Sequence, residues 1–400
     1  MDTKHLSKRA QSMSVSPIRN LVPPKNKNVH VHKLNIGQPD IESPKEFLQG
    51  VRQFSSYVIA YDSAKGNKNL LQEWTKKFNQ NYALDLTENE MLITSGSSEA
   101  LTFAFNICCD VDDEILVFAP TYANYTGFAI MSGVRLIPIP CRFDTNFHIP
   151  IHTQEIEQHI TSKTKAILIC DPNNPTGTTF TEAELLNLLS ICTSHNMFLI
   201  VDEVYREFVY DGIKPKSILQ LAPKHESVVV VDSISKRYSL CGARIGCLVA
   251  HNQAFMQAAT NFASTRVSAP TIEQEAAAYM LKHISASYLQ NAIDEYEQRR
   301  NVLVSLLQNI PGVKVRAPEG GFYVLAELPV ADSKAFAHFM EYEFSLNNET
   351  VSIAPANGFF IGSTVPTSYV RIAFVLSIPH LRQSVKILEE ALKSYAINGC

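Results

Sequence analysis

SVVVVDSISKRYSLCGARIG, residues 227–246, joins a run of four valines to a loop that contains serines, glycines, Lys236 and Arg244. A near-continuous apolar run of this kind is typical of a strand that is buried on both faces of a parallel sheet. Such a strand places the residues that follow it at the edge of the sheet. Lys236 is then either a solvated lysine, the commoner outcome for a lysine taken alone, or a reactive amine that attacks carbonyl groups.

The same unit of apolar strand, polar loop and amphipathic helix recurs along the chain. EMLITSGSSEALTFAF (90–105) passes from strand to loop to helix, KAILIC (165–170) precedes DPNNPTG, and FLIVDEVY (198–205) ends in acidic and aromatic residues. Strands that alternate with helices predict an α/β fold whose mostly parallel sheet is covered by helices on both faces. Ligands of such sheets bind at the carboxyl ends of the strands, where these polar loops fall.

The pattern changes near residue 285. A long polar helix, YLQNAIDEYEQRRNVLVSLLQ (288–308), leads there into segments typical of an α+β unit. Because 400 residues exceed what one hydrophobic core usually supports, we expect two domains. Residues 51–284 would form the large ligand-binding domain and residues 285–400 the smaller one. Residues 1–50 would form an arm and part of the small domain.

The composition argues against several functional classes. The net charge of −4 and the pI near 6.3 give no electrostatic reason to expect nucleic acid or an anionic membrane as partner. Eight scattered cysteines without a C-x-x-C pair indicate reduced thiols, and neither a signal peptide nor a membrane-spanning apolar run is visible. We therefore expect a cytoplasmic protein. Pro150 argues against a helical metal-binding pair of His148 and His152, so no metal site is expected.

Two of the loops are suited to a phosphate. Gly96, Ser97 and Ser98 follow a strand and open a helix, where free backbone N–H groups and the positive helix end favour an anion. An ordinary helix cap is an equally good explanation. In the opening stretch, the planar fork of Arg244 could clamp a phosphate, with Ser233 beside it.

Two further loops offer groups for a ring-shaped ligand. Asn174 in DPNNPTG could donate to a ligand oxygen, although a turn alone explains its residues. Asp202, which ends an apolar run with Tyr205 three residues on, is either a structural cap or a carboxylate that faces a protonated ring nitrogen. A phosphate cradle, a carboxylate, an Asn or Tyr for a ring hydroxyl and Lys236 for an aldehyde together describe pyridoxal phosphate.

The motifs SGSSEAL, APTY, DPNNPTG, VDEVY, SISKRYSLCGARIG and SYVRIA occur in this order. This order resembles that of the class I/II aminotransferases of pyridoxal-phosphate fold type I, in the aspartate aminotransferase-like group. The resemblance extends from LNIGQPD (34–40) to beyond Arg371. It implies a transaminase with ping-pong kinetics that moves an amino group between an L-amino acid and a 2-oxo acid.

The resemblance also implies a role for each loop residue. Lys236 is expected to bind the cofactor as a Schiff base and to move the proton between the substrate Cα and the cofactor, and Asp202 is expected to pair with the pyridine nitrogen. The remaining cofactor contacts are expected from Asn174 and Tyr205 at the ring 3′-oxygen, Tyr122 stacked on the ring, and Gly96, Ser97, Ser98, Ser233 and Arg244 at the phosphate.

Further roles concern the substrate and a second subunit. Arg371 is expected to bind the substrate α-carboxylate bidentately, with the backbone of Gly37 closing over it and Asn174 nearby. Tyr61 matches the tyrosine that reaches the phosphate of the neighbouring subunit, which implies a homodimer with active sites at its interface.

Substrate choice stays open at this point. Some members of the group place a lysine for a substrate side-chain carboxylate where this chain has Ser98. Arg266, in NFASTRVSAPTIEQ (261–274), is either its replacement or a structural arginine. A dicarboxylic pair such as aspartate and 2-oxoglutarate is therefore weakly favoured over an aromatic or broad range. A lyase, decarboxylase or synthase with the same cofactor site is the alternative, and a regulator with a fused helix-turn-helix is disfavoured because no room for one precedes Leu34.

Overall fold

A computed structural model describes residues 5–13, 24–26, 28–150, 152–362 and 365–397. The strands are β1 (His30–Lys33), β2 (Met91–Thr94), β3 (Glu114–Ala119), β4 (Arg135–Pro140), β5 (Thr164–Cys170), β6 (Phe198–Asp202), β7 (Val228–Ser233), β8 (Gly246–Ala250), β9 (Lys314–Val315), β10 (Tyr323–Glu327), β11 (Glu349–Ser352), β12 (Ala354–Pro355) and β13 (Tyr369–Ala373). The helices are α1 (Lys8–Ser12), α2 (Lys45–Gln53), α3 (Lys68–Tyr82), α4 (Ser97–Cys108), α5 (Asn124–Ser132), α6 (Thr153–Glu157), α7 (Glu182–Ser194), α8 (Ile218–Leu221), α9 (Ile234–Arg237), α10 (Gln253–Arg266), α11 (Thr271–His283), α12 (Ala286–Gln308), α13 (Ser333–Tyr342) and α14 (Ile378–Ile397).

The largest sheet has seven strands in the order β2-β8-β7-β6-β5-β3-β4. Strands β7, β6, β5, β3 and β4 pair in parallel, whereas β8 runs antiparallel to both of its neighbours, β2 and β7. The predicted mostly parallel sheet is thus confirmed. The reversed strand β8 brings the start of β8 beside the ends of β2 and β7.

Each face of this sheet is covered by its own hydrophobic core. Because side chains alternate along a strand, Leu168 of β5 packs into one core with residues of α4, α5 and α10. Ile167 and Ile169 pack into the other core, with residues of α3, α7 and α11. Burial on both faces explains why these strands are apolar throughout.

A second group of elements forms the smaller part of the fold. Strands β12, β13, β10 and β9 pair antiparallel in that order, while β1 pairs in parallel with β11. The segment before residue 50 therefore joins the C-terminal part through β1, but α2 packs against α11. The domain boundaries at residues 50 and 284 stay a prediction.

Two predicted properties of the chain concern its cysteines and its helices. The described cysteines, from Cys108 to Cys247, are all free thiols, and Cys400 lies outside the described residues. Among the helices of the described residues, none combines the length and apolarity that crossing a lipid bilayer requires.

Candidate active site

The ends of the central strands meet at one edge of the sheet. Cys170 at the end of β5 lies opposite Asp202 at the end of β6, and Ser233 at the end of β7 lies opposite Gly246 at the start of β8. Gly246 also pairs with Thr94 at the end of β2. The loops after β2, β5, β6 and β7, which are far apart in sequence, therefore converge.

A cavity of about 180 Å³ opens at this edge. Eight of the predicted site residues line it, namely Gly37, Ser97, Tyr122, Asn174, Asp202, Tyr205, Lys236 and Arg371. A larger open depression of about 810 Å³ lies between α3 and the turn at residues 86–89 and contains none of them. The convergence of reactive groups, rather than size, identifies the smaller cavity as the candidate active site.

Asp202 is a buried carboxylate that faces neutral donors. The phenol of Tyr125 donates a hydrogen bond to Oδ2 at 2.9 Å, and the backbone N–H of Val204 donates to Oδ1 at 3.4 Å. Burial raises the pKa of the Asp202 carboxyl group to about 7, and the neighbouring acids Asp232 and Glu203 contribute in the same direction. A cationic ring nitrogen next to this carboxylate would supply the positive charge that stabilises its ionised form.

Lys236 projects its amine into the cavity rather than into solvent. It lies in the short helix α9 immediately after β7, and Nζ donates a hydrogen bond to the carbonyl oxygen of Gly37 at 2.7 Å. The thiol of Cys241 lies 3.8 Å from the same nitrogen. Lys236 is thus half-buried and hydrogen-bonded at the cavity, and its role as a reactive amine stays a prediction.

Arg371 carries a buried guanidinium in the wall of the cavity. Its Nη1 donates to Oδ1 of Asn174 at 3.0 Å, and its Nη2 donates to the carbonyl oxygen of Asn35 at 2.6 Å. The guanidinium carbon lies 4.1 Å from the centroid of the Tyr323 ring and 4.8 Å from that of Phe359. The buried Nε has no partner among the described residues. Desolvation lowers the pKa of this arginine, and a carboxylate ligand in the cavity would offset the cost of burying its charge.

Two further tyrosines border the cavity. The phenol oxygen of Tyr205 lies 2.9 Å from that of Tyr323, and burial raises the pKa of Tyr205 well above its ordinary value, so the Tyr205 phenol is neutral. The phenol oxygen of Tyr122 accepts a hydrogen bond from the side-chain amide of Asn124 at 2.8 Å. The ring of Tyr122 packs edge-on against Tyr125, the donor to the buried aspartate.

The N-terminus of α4 forms an open cradle. Gly96 precedes the helix with φ of 76°, and a Cβ at this position would come within 2.2 Å of Nη2 of Arg244. Ser97 lines the cavity, while Ser98 is exposed. Arg244 itself is exposed, and its Nη1 donates to the carbonyl oxygen of Cys241 at 2.9 Å. Backbone N–H groups and a guanidinium at the start of a twelve-residue helix suit a phosphate.

Ser233 lies deeper than the other residues expected at the phosphate. It is fully buried, and its hydroxyl is 2.7 Å from the hydroxyl of Ser235 and 2.9 Å from the carbonyl oxygen of Ile245. The same hydroxyl accepts the backbone N–H of Ser235, which caps α9. In this structure Ser233 therefore fixes the helix that carries the cavity lysine.

Arg266 and Tyr61 lie outside the cavity. All three guanidinium nitrogens of Arg266 are engaged: Nε with both carboxylate oxygens of Glu99 at 3.1 Å, Nη1 with the carbonyl of Ala64 at 3.1 Å, and Nη2 with the carbonyl of Ile93 at 2.8 Å. Of its two interpretations, the structure therefore favours the structural arginine. Tyr61 is 82% exposed in the single chain.

Several residues of the site were not predicted from the sequence. Tyr323, Tyr125 and Asn124 all contact predicted residues, and Cys241 approaches the lysine amine. A weak signal was present for two of them, because Asn124 and Tyr125 lie two and three residues after the APTY motif. Tyr323 stands in an apolar strand and is indistinguishable there from a core residue.

A network of buried ion pairs lies next to the cavity residues Asp202 and Lys236. Arg206 contacts Glu203, and it also contacts Asp232 at 2.9 Å, while Arg237 contacts the same Asp232 at 3.0 Å and Glu207 at 2.7 Å. Glu203 and Arg237 directly follow, in sequence, the cavity aspartate and the cavity lysine. Removing one partner of a fully buried pair costs about 3–5 kcal/mol, so the network holds both functional residues in place.

Comparison with known proteins adds to this geometry. A family profile described as aminotransferase class I and II matches residues 29–388. The chain is 28% identical over 367 residues to an aspartate aminotransferase of Bacillus subtilis, covering 91% of each. It is 26% identical over 394 residues to an aromatic-amino-acid aminotransferase 2 of Thermococcus litoralis, covering 97% of this chain and 98% of that protein. A solved alanine aminotransferase from Pyrococcus furiosus superposes with a TM-score of 0.87 at 26% identity, covering 97% of this chain and 99% of that chain.

Proposed function

The chain belongs to the aminotransferase class I and II family, and we propose that it moves an amino group between an L-amino acid and a 2-oxo acid with pyridoxal 5′-phosphate as its cofactor. The observation that carries this proposal is the cavity in which Lys236, Asp202 and Arg371 meet. An amine for an aldehyde, a carboxylate for a ring nitrogen and a guanidinium for an α-carboxylate are the charged groups that this chemistry requires.

The residues fit the cofactor at both of its ends. Asp202, whose pKa burial raises to about 7, would gain a cationic partner in a protonated ring nitrogen. At the other end, Gly96, Ser97, Ser98 and Arg244 would hold the phosphate, because only a glycine at position 96 lets the Arg244 guanidinium approach the start of the helix so closely. Ser233 would support that end through α9.

The middle of the cavity is suited to the ring and its aldehyde. Lys236 would bind the aldehyde through Nζ, with Asn174 and Tyr205 near the ring oxygen and Tyr122 against the ring face. When bound, pyridoxal 5′-phosphate supplies a conjugated ring that accepts electrons from the substrate Cα.

The proton transfer falls to a residue of the cavity. Nζ of Lys236 lies within the cavity, where it would take the proton from the substrate Cα and return it to the adjoining carbon of the cofactor. Arg371 orients the substrate for this step, because its fork binds both carboxylate oxygens and so fixes the direction of the Cα–H bond. The carbonyl oxygen of Gly37 accepts a hydrogen bond from Nζ, and the backbone of Gly37 would close over the substrate carboxylate.

The range of amino donors follows from the groups around the cavity. Among the described lining residues, the cations are Lys236 and Arg371, and Arg266 is engaged elsewhere. We propose aspartate with 2-oxoglutarate, or a related dicarboxylic or aromatic pair, and the relatives named for aspartate and for aromatic amino acids support this range. A dicarboxylic donor would need a further cation from a second subunit.

We also propose that the enzyme is a homodimer with Tyr61 completing the phosphate site of the partner subunit. The segment around Tyr61 supports this, because Tyr57, Val58 and Ile59 are large apolar residues that are also exposed in the single chain. Mixing inactive Lys236→Ala and Tyr61→Phe proteins under exchange conditions should restore activity in the mixed dimers. Activity that stays at the level of the separate variants would contradict the shared site.

The proposed reaction is tested on the cofactor-loaded protein with an amino donor alone. A transaminase stops after one half-turnover per site, whereas a lyase or decarboxylase continues to release product, so sustained product release would overturn the proposal. Borohydride reduction should add the cofactor mass to the peptide that contains Lys236, and Lys236→Ala should lose both the adduct and turnover. An unmodified peptide from the wild-type protein would refute the role of this lysine.

A further inference from the structure

Tyr323 touches three of the groups on which the proposed function depends. It is the first residue of β10, is buried, and lines the cavity. Its ring lies against the guanidinium of Arg371, and its phenol oxygen is 2.9 Å from that of Tyr205. A Cβ at Gly37 would fall 1.8 Å from the same phenol oxygen. The ring face makes the contact with Arg371, whereas the phenol oxygen makes the other two contacts.

We propose that Tyr323 is a positioning residue with two separable roles: its ring face holds Arg371 for the substrate carboxylate, and its hydroxyl orients the phenol of Tyr205 toward the cofactor ring. This inference rests on the proposed function. It assigns to Tyr323 a part in both substrate affinity and cofactor protonation.

The role of the ring face follows from the surroundings of Arg371. The guanidinium is fully buried, and its hydrogen bonds go to one side-chain oxygen and one backbone oxygen, both uncharged. An aromatic face at 4.1 Å attracts a desolvated cation and so favours the position that the guanidinium occupies in the cavity wall. Phe359 supports the same guanidinium at the longer distance of 4.8 Å.

The role of the hydroxyl follows from the burial of both phenols. A buried hydroxyl needs a hydrogen-bond partner, and the phenols of Tyr205 and Tyr323 supply one for each other. When Tyr323 donates, the proton of Tyr205 is left for a ligand oxygen in the cavity. A hydroxyl that accepts one hydrogen bond is also a stronger donor of the next.

Two substitutions separate the roles. Tyr323→Phe removes only the hydroxyl, and in the cofactor-loaded protein it should move the pH midpoint of the visible absorbance upward by about 0.3 units or more, because weaker donation leaves the ring oxygen more basic. The dissociation constants of succinate and 3-phenylpropanoate, two carboxylates without an amine, should stay within about twofold. Tyr323→Leu removes the ring face and should raise those constants and the KM of amino donors about tenfold, the order expected for a desolvated cation–π contact.

Phe359→Leu is the matched control. It removes a ring face from Arg371 without contact to the Tyr205 phenol, so it should weaken carboxylate binding by less than Tyr323→Leu and leave the absorbance midpoint unchanged. If Tyr323→Leu does not fold, Tyr323→Met removes the same ring face with a linear side chain. A purely structural Tyr323 would lower thermal stability and change all readouts together.

The outcomes distinguish this inference from the proposed function. Two results would show that the inference on Tyr323 is wrong, provided that the wild-type protein completes a half-turnover. One is that Tyr323→Phe weakens carboxylate binding as much as Tyr323→Leu does. The other is that Tyr323→Leu leaves the dissociation constants of the carboxylates within about twofold of the wild-type values. If the wild-type protein carries no cofactor on Lys236, the proposed function itself has failed.

Discussion

Replacing Arg266 with alanine tests whether this arginine binds substrate or supports the phosphate cradle. The guanidinium connects three segments of the cradle: the carbonyl at the end of β2, the carbonyl of Ala64 in the segment after Tyr61, and Glu99 in the first turn of α4. Glu99 in turn accepts the backbone N–H of Ser95, next to Gly96. The substitution should therefore loosen the loop that is expected to hold the cofactor phosphate.

The structure sets the size of this effect. The substitution Arg266→Ala removes one ion pair and two hydrogen bonds that the guanidinium donates. A buried hydrogen bond to a charged group contributes about 1.5–3 kcal/mol to the free energy of unfolding. The side chains of Arg266 and Glu99 each remain 18% exposed, so water can replace part of what is lost. We expect the free energy of unfolding to fall by about 2–4 kcal/mol, somewhat less than for a fully buried pair.

Three measurements on Arg266→Ala decide between the roles. Urea unfolding of the cofactor-free protein should show the loss of stability, and titration with pyridoxal phosphate should show weaker binding. The relative rates with aspartate, alanine and phenylalanine should stay as in the wild type. Glu99→Gln, which keeps the shape of the partner but removes its charge, should reproduce part of both losses. A selective loss of aspartate turnover in a protein of unchanged stability would refute this reasoning.

Two other substitutions test charges inside the cavity. Because burial raises the folded pKa of Asp202 to about 7 from its ordinary 3.8, the folded cofactor-free protein binds the extra proton and its stability falls as the pH rises through this window. The free energy of unfolding of Asp202→Asn, measured in urea relative to that of the wild type, should therefore rise by about 2–3 kcal/mol from pH 5 to pH 8. A difference between the two proteins that is the same at both pH values would count against the raised pKa. Arg371→Lys should raise the KM of amino donors about 10- to 100-fold, because an ammonium cannot form two parallel hydrogen bonds to a carboxylate. An unchanged KM would argue against the carboxylate role.

The parts of the fold that depend on local patterns could be predicted from the sequence. Val228–Val231 and the runs before Asp171 and Asp202 are apolar on both faces, and the structure buries them between two helical layers. The positions of Lys236 and Asp202 followed from the same rule, because parallel strands end at one edge of the sheet. The antiparallel direction of β8 could not be predicted, because a strand that is apolar on both faces has the same sequence pattern whether its neighbours are parallel or antiparallel.

Long-range pairing limited the prediction of the site. Arg266 and Glu99 are separated by 167 residues, and nothing in either local sequence identifies the other as its partner. Tyr323 was missed because an aromatic residue in an apolar strand has the same pattern whether it fills a core or lines a cavity. Tyr61 is exposed in the single chain, so its proposed role at the phosphate cannot be tested by the fold of one chain.

The contact between Arg371 and the carbonyl oxygen of Asn35 has a consequence for how the enzyme is made. These two residues are 336 positions apart, while Lys236 and its acceptor Gly37 are 199 apart. During translation, residues 34–38 can therefore form their contact with Arg371 only after nearly the whole chain has been synthesised. Completion of the cavity wall at Arg371 is thus one of the final events of biosynthesis, and a nascent chain arrested before β13 lacks the guanidinium that is proposed to bind the substrate carboxylate.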